Sequence, residues 1–368
     1  MIIGIPKEIK SNENRVAITP SGVYDLIKLG HKVIIENDAG IGSNITDEEY
    51  IEVGANIMNK KDLFDNSDII VKVKEPLEEE YKYFKENQKL FTYLHLAADK
   101  KQADFLLKKN ITAIAYETVQ EQDGSLPLLN PMSEVAGRMA VQVGANLLQK
   151  NNNGRGLLLG GVPGVLPAEV CIIGAGNVGQ NAIKIAVGMG AQVTVLDISS
   201  EKLEYIDDIY SSKVTTLISN ELNILNEVKE ADLLIGAVLI PGAAAPKLVT
   251  TDMVKGMKKG AVIVDVAIDQ GGCIETIDRV TTHDNPYYEK YGVIHYSVAN
   301  MPGAVPRTST FALVAATMPF LKTIVSNDNI EVILKDNLNI LKGLNTYKGK
   351  CTNKNVASAL GYEYTKLF

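Results

Sequence analysis

A glycine-rich turn between an apolar run and a helical pattern places the strongest constraint on the fold of this 368-residue chain. The apolar run 170–173 predicts a buried parallel strand. Three glycines follow it with the spacing G-x-G-x-x-G: Gly174, Gly176 and Gly179. A helical pattern then covers 181–189, and a second strand over 192–196 leads to Asp197. This order of strand, turn, helix and strand is typical of a dinucleotide-binding domain.

Each glycine has a physical reason in such a domain. Gly174 permits the tight turn, Gly176 lets a pyrophosphate approach the backbone, and Gly179 lets the helix pack against the strand. Val178 belongs to the same pyrophosphate-binding turn, whose phosphates would sit at the helix N-terminus. Asp197 lies 23 residues after Gly174, near the position of the acid that binds the ribose hydroxyls. A carboxylate there would repel a 2′-phosphate and so favours NAD over NADP. The alternative to a dinucleotide-binding site is a glycine turn with a purely structural role.

Length and composition limit the possible classes of protein. A chain of 368 residues is too long for one ordinary core, so two domains are expected. The net charge of −7, without a basic stripe, argues against binding to nucleic acid. The cysteines show neither metal-site nor disulfide spacing, and the chemistry inferred below requires no metal. We find no signal segment or membrane-length apolar stretch, and therefore expect a cytoplasmic protein without membrane contacts.

Strand and helix patterns alternate along the first 128 residues, which predicts a doubly wound, mainly parallel sheet. Predicted strands cover 2–5, 31–36, 68–74, 89–96 and 112–116. Arg15, Lys74 and His95 each fall at or just beyond the carboxyl end of a predicted strand, where open α/β sheets bind ligands. The charged loop that contains Arg15 has a simpler interpretation as solvated surface.

The alternation continues after the glycine turn and predicts a second α/β sheet of about six strands. Asp269 follows the strand predicted over 260–267. A helix over 308–325 leaves this sheet, and the segment after it is too short to form a domain alone. We therefore expect a first domain over 1–128, a dinucleotide-binding domain over 129–305, and a C-terminal segment, 306–368, that returns to the first domain.

Several longer motifs carry a resemblance to one family. They are Gly4-Ile-Pro-Lys-Glu8, Asn14-Arg-Val-Ala-Ile-Thr-Pro20, Val73-Lys-Glu-Pro76, Tyr93-Leu-His-Leu96, Met132-Ser-Glu-Val-Ala-Gly-Arg138, Gly160-Gly-Val-Pro-Gly-Val165, Asp265-Val-Ala-Ile-Asp-Gln-Gly-Gly272 and Asn300-Met-Pro-Gly-Ala-Val-Pro-Arg-Thr-Ser309. In these segments the chain resembles the alanine dehydrogenase and transhydrogenase alpha-subunit family, over nearly its whole length. The resemblance implies two Rossmann-like lobes with the active site in the cleft between them. It also implies a homohexamer that converts L-alanine and NAD reversibly into pyruvate, ammonium and NADH.

The resemblance assigns roles to four residues. Arg15 would grip the substrate carboxylate bidentately, and Lys74 would polarise the pyruvate carbonyl or contact the carboxylate. His95 would shuttle protons, and Asp269 would share in the acid–base work. The alternatives are an exposed Arg15, a Lys74 neutralised by Glu75, a structural His95 and an Asx turn at Asp269.

The family pattern also implies further NAD contacts. They are Ser133, Lys202, Ser219, Val238, Leu239, Val298, Asn300 and Met301. Without the resemblance, Ser133 is typical of a helix N-cap, and Val238 and Leu239 are typical of a core.

Three other functions are compatible with parts of this pattern. One is the NAD-binding subunit of a proton-translocating transhydrogenase, which the joint presence of Lys74 and His95 disfavours. A second is a related dehydrogenase that acts on a longer substrate, such as lysine or saccharopine. The third is an NAD-binding scaffold without activity, which the presence of all four candidate catalytic residues argues against.

Overall fold

The chain forms two compact units with interspersed strands and helices. The computed structural model describes residues 1–238 and 245–368, and at 269 and 270 it describes the backbone alone. Unit 1 consists of Met1–Met132 and Val305–Phe368, and unit 2 of Ser133–Ala304. The sequence-based boundaries fall at 128 and 305, and those of the structure at 132 and 304.

Strands and helices are numbered in chain order over the described residues. The strands are β1 (Ile2–Ile5), β2 (Lys32–Glu36), β3 (Asn56–Met58), β4 (Ile69–Val71), β5 (Lys89–Thr92), β6 (Thr112–Ala115), β7 (Glu169–Ile173), β8 (Gln192–Asp197), β9 (Val214–Ile218), β10 (Leu233–Gly236), β11 (Val262–Asp265), β12 (Tyr287–Lys290), β13 (Val293–Tyr296), β14 (Leu344–Tyr347) and β15 (Lys350–Cys351). The helices are α1 (Pro20–Lys28), α2 (Asp47–Glu52), α3 (Lys60–Asn66), α4 (Glu78–Tyr81), α5 (Lys100–Lys108), α6 (Asn130–Leu147), α7 (Asn177–Gly188), α8 (Ser200–Tyr210), α9 (Glu221–Glu230), α10 (Thr251–Lys255), α11 (Pro306–Val325), α12 (Ile330–Asp336), α13 (Leu338–Gly343) and α14 (Lys354–Leu360).

Unit 1 contains a mixed sheet in the order β15-β14-β6-β5-β4-β1-β2-β3. Strands β1 to β6 pair in parallel, and β14 pairs antiparallel with both β6 and β15. All three side chains of the central strand β4 are buried, as expected for a strand covered on both faces. The C-terminal hairpin, which the sequence pattern does not predict, extends the β6 edge of this sheet.

Unit 2 contains a sheet in the order β12-β13-β11-β10-β7-β8-β9. Its strands pair in parallel except β12, which runs antiparallel to β13. The seven strands of this sheet among the described residues include β12, which the sequence prediction of about six omits. The predicted α/β class with two mainly parallel sheets is confirmed.

Several element boundaries differ from the predictions for local reasons. Helix α7 begins at Asn177 rather than 181, because Gly176 is its N-cap and Gly179 lies inside its first turn. Helix α6 begins at Asn130, so Ser133 is inside the helix and the N-cap alternative is wrong. Strands β4 and β5 are shorter than predicted because buried loop residues after them, such as Val73 and Leu94, extend the apolar pattern.

Helix α11 is the only helix of the described residues that is long and apolar enough to cross a membrane. Half of the qualifying window is buried inside the protein. Leu313, Val314, Met318 and Leu321 belong to the apolar core of unit 1 together with Ile3 and Val71. The apolar composition of α11 therefore has an explanation in the packing of unit 1.

Candidate active site

The glycine turn of unit 2 follows β7 directly. Gly174 has a φ of +106°, and a Cβ there would lie 2.6 Å from the Ala237 carbonyl oxygen. A Cβ on Gly179 would lie 1.9 Å from the Gly174 carbonyl oxygen, so both positions require glycine. A Cβ on Gly176 would meet no atom of the described residues within 4 Å. The space beside Gly176 is therefore open to a ligand, as the approach of a pyrophosphate to the backbone requires.

Helix α7 begins at Asn177, within the glycine turn. The N-cap of α7 is Gly176, which has no side chain to accept from the amides of the first turn. The amides at the start of a helix lack intrahelical partners and favour anions. The turn can thus receive the phosphates of a dinucleotide.

Asp197 is the last residue of β8, the strand next to β7, and is 8% exposed. Its Oδ2 accepts from the Ala175 amide at 2.6 Å, and its Oδ1 accepts from the Ser199 amide at 2.9 Å. Because a carboxylate has about four acceptor sites, these bonds leave capacity for ribose hydroxyls. Asp197 therefore fits the adenosine side of NAD and also fixes the position of the glycine turn.

The other residues predicted to contact NAD lie on different elements of unit 2. Ser219 follows β9, Val238 follows β10, Val298 follows β13, and Met301 begins a short 3-10 turn. These four follow strands at the carboxyl edge of the sheet, or lie in the loop beyond it.

Two residues of this set, Val238 and Asn300, lie in defined positions in their loops. A Cβ on Gly174 would lie 3.2 Å from Cγ2 of Val238, so Val238 borders the glycine turn. Asn300 has a left-handed φ of 58°. Its carbonyl oxygen lies 3.3 Å from Nε2 of His283.

Three predicted contacts lie on helices, and one lies outside the described residues. Lys202 is exposed on α8, and Ser133 is half-buried on α6. Val178, on α7, is 9% exposed, and its carbonyl oxygen would lie 2.2 Å from a Cβ on Gly137. Leu239 is outside the described residues.

Asp269 lies on the 3-10 turn Val266–Gln270, not at a strand end, because β11 already ends at Asp265. The side chain of Asp269 is outside the described residues. The buried Asp265 carboxylate accepts from the amides of Ala267 at 3.0 Å, Cys273 at 2.9 Å and Ile274 at 3.3 Å. Burial raises the pKa of Asp265 to about 6, against the opposing effect of these bonds.

Lys247 binds carbonyl oxygens of the segment that directly follows this 3-10 turn. Its Nζ donates to the carbonyl oxygens of Gly271 at 2.5 Å and Gly272 at 3.0 Å. Sequence reasoning missed both Asp265 and Lys247. The position of Asp265 at the end of an apolar strand could have identified it as a candidate. Nothing in the sequence around the exposed Lys247 distinguishes it from other surface lysines.

In unit 1, Arg15 lies in a buried cluster of charges rather than in a solvated loop. Arg15 is 2% exposed, Glu13 6% and Glu8 8%. Nε of Arg15 donates to Oε1 of Glu13 at 2.7 Å, and Nη2 donates to Oε2 at 2.5 Å. Nη1 lies 2.9 Å from Sδ of Met132. The solvated-surface interpretation is wrong for these three residues, and Glu13 already binds one edge of the guanidinium bidentately.

Lys74 is half-buried in the loop after β4. Burial lowers the pKa of its ammonium, and the charge of Arg15 lowers it further, while Glu13 opposes this shift. Within 1–238 and 245–368, the Lys74 ammonium has no hydrogen-bond partner. Glu75 instead binds the Lys10 ammonium, so the alternative in which Glu75 neutralises Lys74 is wrong.

The backbone at Lys74 is fixed by Glu8. Oε1 of Glu8 accepts from the Val73 amide at 2.7 Å and lies 3.4 Å from the Lys74 amide. Lys72 is fully buried and pairs with Glu8 at 3.3 Å and Glu80 at 2.8 Å. A buried charge network therefore lies behind the loop that presents Lys74.

His95 is exposed three residues beyond β5 and has a left-handed φ of 49°. Its amide donates to Oε1 of Glu117 at 2.6 Å. The ring stacks on Tyr93, with 6.0 Å between centroids and 6° between planes. Left-handed backbone at a non-glycine residue carries strain and persists only where the surrounding structure fixes it. Glu117 and Tyr93 hold His95 in this conformation.

The loops that carry these residues are neighbours within unit 1. The Thr92 hydroxyl donates to the Lys74 carbonyl at 2.9 Å, and the Tyr93 amide donates to the Val73 carbonyl at 3.3 Å. Arg15 lies close enough to affect the pKa of both Lys74 and Tyr93. Unit 1 thus brings Arg15, Lys74 and the His95 loop together at the carboxyl edge of its sheet.

The part of the chain that the structure describes contains no group of three or more His, Cys, Asp or Glu side chains arranged to hold a metal ion. The buried His295 bonds the Thr276 hydroxyl at 2.7 Å and the Val293 carbonyl at 2.9 Å, in a structural role.

Comparison with known proteins gives matches over nearly the whole chain. Residues 4–136 match the family model of the alanine dehydrogenase/PNT N-terminal domain, and residues 140–354 match that of the C-terminal domain. An alanine dehydrogenase of Methanococcus maripaludis is 61% identical, covering 99% of this chain and 98% of that protein. One of Staphylococcus haemolyticus is 58% identical, covering 100% and 98%.

Solved structures agree with these matches. A structure of an L-alanine dehydrogenase has 48% identity and a TM-score of 0.95, covering 98% of this chain and 99% of the other. A transhydrogenase from Sinorhizobium meliloti has 25% identity and a TM-score of 0.81, covering 96% and 99%. The predicted family is thus confirmed: this chain belongs to the alanine dehydrogenase/PNT family.

Proposed function

We propose that the chain catalyses the NAD-dependent, reversible oxidative deamination of L-alanine to pyruvate and ammonium. The observation that carries the proposal is the charged cluster of unit 1, where Arg15 and Lys74 lie together beside the His95 loop. Unit 2 adds a complete glycine turn with Asp197 at the end of the adjacent strand. Relatives named alanine dehydrogenase match this chain over its whole length, which supports the choice of substrate.

The residues of unit 2 fit NAD. When bound, NAD accepts a hydride from the α-carbon of the substrate. We assign the pyrophosphate to Gly174, Gly176, Val178 and Gly179, and the adenosine ribose to Asp197. The further contacts proposed are Ser133, Lys202, Ser219, Val238, Leu239, Val298, Asn300 and Met301.

Arg15 and Lys74 are proposed to hold the substrate carboxylate and the reacting oxygen. Glu13 binds the Nε–Nη2 edge of Arg15, which fixes the orientation of the guanidinium whose charge would attract the substrate carboxylate. The half-buried position of Lys74 suits a cation that polarises the keto-acid carbonyl. Together the two cations orient the α-carbon for hydride transfer.

His95 and Asp269 are proposed to move the protons. Imine formation and hydrolysis require a group that takes a proton in one direction and returns it in the other. The exposed imidazole of His95, on a backbone fixed by Glu117, suits this role. Asp269 would orient water and the reacting nitrogen, from a turn held by Asp265 and Lys247.

Formation of NADH from purified protein, NAD and L-alanine at alkaline pH tests this proposal. L-lysine, L-serine, glycine and NADP serve as alternative substrates and cofactor. We expect turnover with L-alanine and NAD, and little with the others. Turnover with L-lysine instead would place the chain among the dehydrogenases of longer amino acids.

A nucleotide-binding module of the transhydrogenase type is the second candidate function. The structural match to a transhydrogenase at 25% identity favours it as an alternative. The same assay separates the two functions, because such a module binds NAD without deaminating any amino acid. Binding of NADH with no amino-acid turnover would favour this candidate.

We also propose that the protein is a cytoplasmic homohexamer. The oligomer is inferred from the family resemblance. Light scattering coupled to size-exclusion chromatography measures the mass of the assembly, and a mass other than six chains would contradict it. Fractionation of the source cells tests the location.

A further inference from the structure

We propose that Glu13 sets the net charge of the site that binds the substrate carboxylate, so that the site selects ligands with one negative charge over ligands with two. This inference rests on the proposed function, because it takes Arg15 and Lys74 as the groups that hold the keto acid. It adds a specificity-determining residue that does not itself contact the substrate.

The first step is the geometry of the Glu13–Arg15 pair. Two short hydrogen bonds join the Glu13 carboxylate to Nε and Nη2 of Arg15, and Oε1 also accepts from the Arg15 amide at 3.1 Å. The side chains are 1% and 2% exposed. Burial raises the pKa of Glu13, but its bonds to Arg15 and the charge of Arg15 outweigh burial and lower it. Glu13 is therefore a permanent negative charge beside the site.

The second step is the charge count. Among the described side chains, Arg15 and Lys74 contribute two positive charges and Glu13 removes one, so these three residues carry at most one net positive charge. Lys10 and Glu75 bind each other and offset their charges. Behind the loop, Lys72 pairs with two carboxylates, Glu8 and Glu80, so this group adds no positive charge to the site. The described charges of the cluster thus match at most one carboxylate, such as that of pyruvate.

The third step is the cost of a second negative charge. A ligand with two carboxylates would bring an unpaired charge to a site that is poorly screened, because Glu13 and Arg15 are almost fully buried. Like charges across such a site repel each other more strongly than in water. Oxamate and oxalate separate this effect from size, since they have nearly the same shape and carry one and two negative charges.

Calorimetric titration of oxamate and oxalate into the protein with bound NADH measures the selectivity as a ratio of dissociation constants. The wild type should prefer oxamate. Glu13→Gln removes the charge and keeps the size, and should shift the ratio toward oxalate by about tenfold or more, as expected for one added charge near the ligand. Glu13→Asp keeps the charge and should keep the wild-type ratio, even if both ligands bind more weakly.

Two further variants keep the test decisive. Glu36→Gln removes the same charge from unit 1, where Glu36 contacts the Lys7 amide and Lys60, and should leave the ratio unchanged. Lys74→Gln lowers the net charge and should shift the ratio about tenfold further toward oxamate. If Glu13→Gln does not fold, an unchanged ratio in Lys74→Gln overturns the proposal.

The pH dependence of oxamate binding gives an independent readout. Burial lowers the pKa of Lys74, and the charges of Arg15 and Lys10 lower it further, whereas those of Glu13 and Glu75 raise it. Loss of the Glu13 charge should therefore lower the pKa of Lys74 still more. The alkaline limit of oxamate binding should then move to lower pH in Glu13→Gln and stay in place in Glu13→Asp. An unchanged oxalate-to-oxamate ratio in a folded Glu13→Gln protein refutes the inference. Absence of alanine turnover in the wild type would refute the proposed function instead.

Discussion

Replacing Asp197 by asparagine tests how the end of β8 selects the cofactor. The carboxylate accepts from the amides of Ala175 and Ser199 through separate oxygens, at 2.6 Å and 2.9 Å. Asparagine keeps one acceptor oxygen, so one of these amides loses its partner. The substitution also removes the negative charge that would bond the ribose hydroxyls and repel a 2′-phosphate.

The structure sets the size of the expected effect. A hydrogen bond to a charged group contributes about 1.5–3 kcal/mol, so NADH binding should weaken about 10- to 150-fold. A phosphate near an unscreened carboxylate is repelled by up to ~4 kcal/mol per pair of charges at ~4 Å. NADPH would lose this repulsion in Asp197→Asn. The ratio of the NADPH and NADH dissociation constants should therefore fall by at least about 100-fold.

Fluorescence titration of NADH and NADPH measures both constants, and thermal melting reports the stability of the variant. Asp232→Asn is a matched control, because Asp232 is 6% exposed, accepts from the Glu169 amide at 3.0 Å and pairs with Arg155 at the start of β10. It should lower stability and leave the cofactor preference unchanged. A cofactor ratio that stays at the wild-type value in Asp197→Asn would refute the ribose assignment.

Three further predictions concern the other charged groups. His95→Gln should lower kcat by about 100-fold, as for loss of a proton-transfer group, and near-normal turnover in steady-state kinetics would make His95 structural. Lys72→Met leaves two buried carboxylates unpaired and should lower the free energy of unfolding by about 3–5 kcal/mol; urea denaturation with an unchanged midpoint would contradict this. Because burial raises the pKa of Asp265 to about 6 from its ordinary value near 3.8, its contribution to stability is complete below pH ~3.8. About 3 kcal/mol of that contribution is lost as the pH rises through ~6. The stability difference between wild type and Asp265→Asn, from urea denaturation at several pH values, should change over this window, and a constant difference would disprove the prediction.

Local sequence patterns predicted the strands and the glycine turn because their causes are local. The apolar run before Gly174 must be buried, and the positive φ of Gly174 follows from the turn. The same patterns missed the hairpin of β14 and β15, because its short strands are stabilised mainly by pairing with the distant β6. They also missed the antiparallel β12, whose side chains are only partly buried.

The charged cluster of unit 1 could not be predicted for a different reason. Glu8, Glu13 and Arg15 lie in a polar segment whose composition is typical of exposed loops. Their burial depends on partners far along the chain, such as Val73, which is 65 residues from Glu8. A local pattern therefore identified Arg15 as a candidate but not the carboxylate that binds it.

These partners share one arrangement that recurs in both sheets. Glu8 follows β1, and its carboxylate accepts from the Val73 amide after the adjacent β4. Glu117 follows β6, and its carboxylate accepts from the His95 amide after the adjacent β5. Asp197 ends β8, and its carboxylate accepts from the Ala175 amide after the adjacent β7. In each case a carboxylate on one parallel strand fixes the loop that follows its neighbour. Parallel pairing brings the two carboxyl ends together, so an acid at the end of one strand, or a few residues past it, can reach the amides past the next strand. The fixed loops carry Lys74, His95 and the glycine turn. The fold thus fixes these loops through backbone amides, and these bonds do not use the side chains of Lys74 and His95.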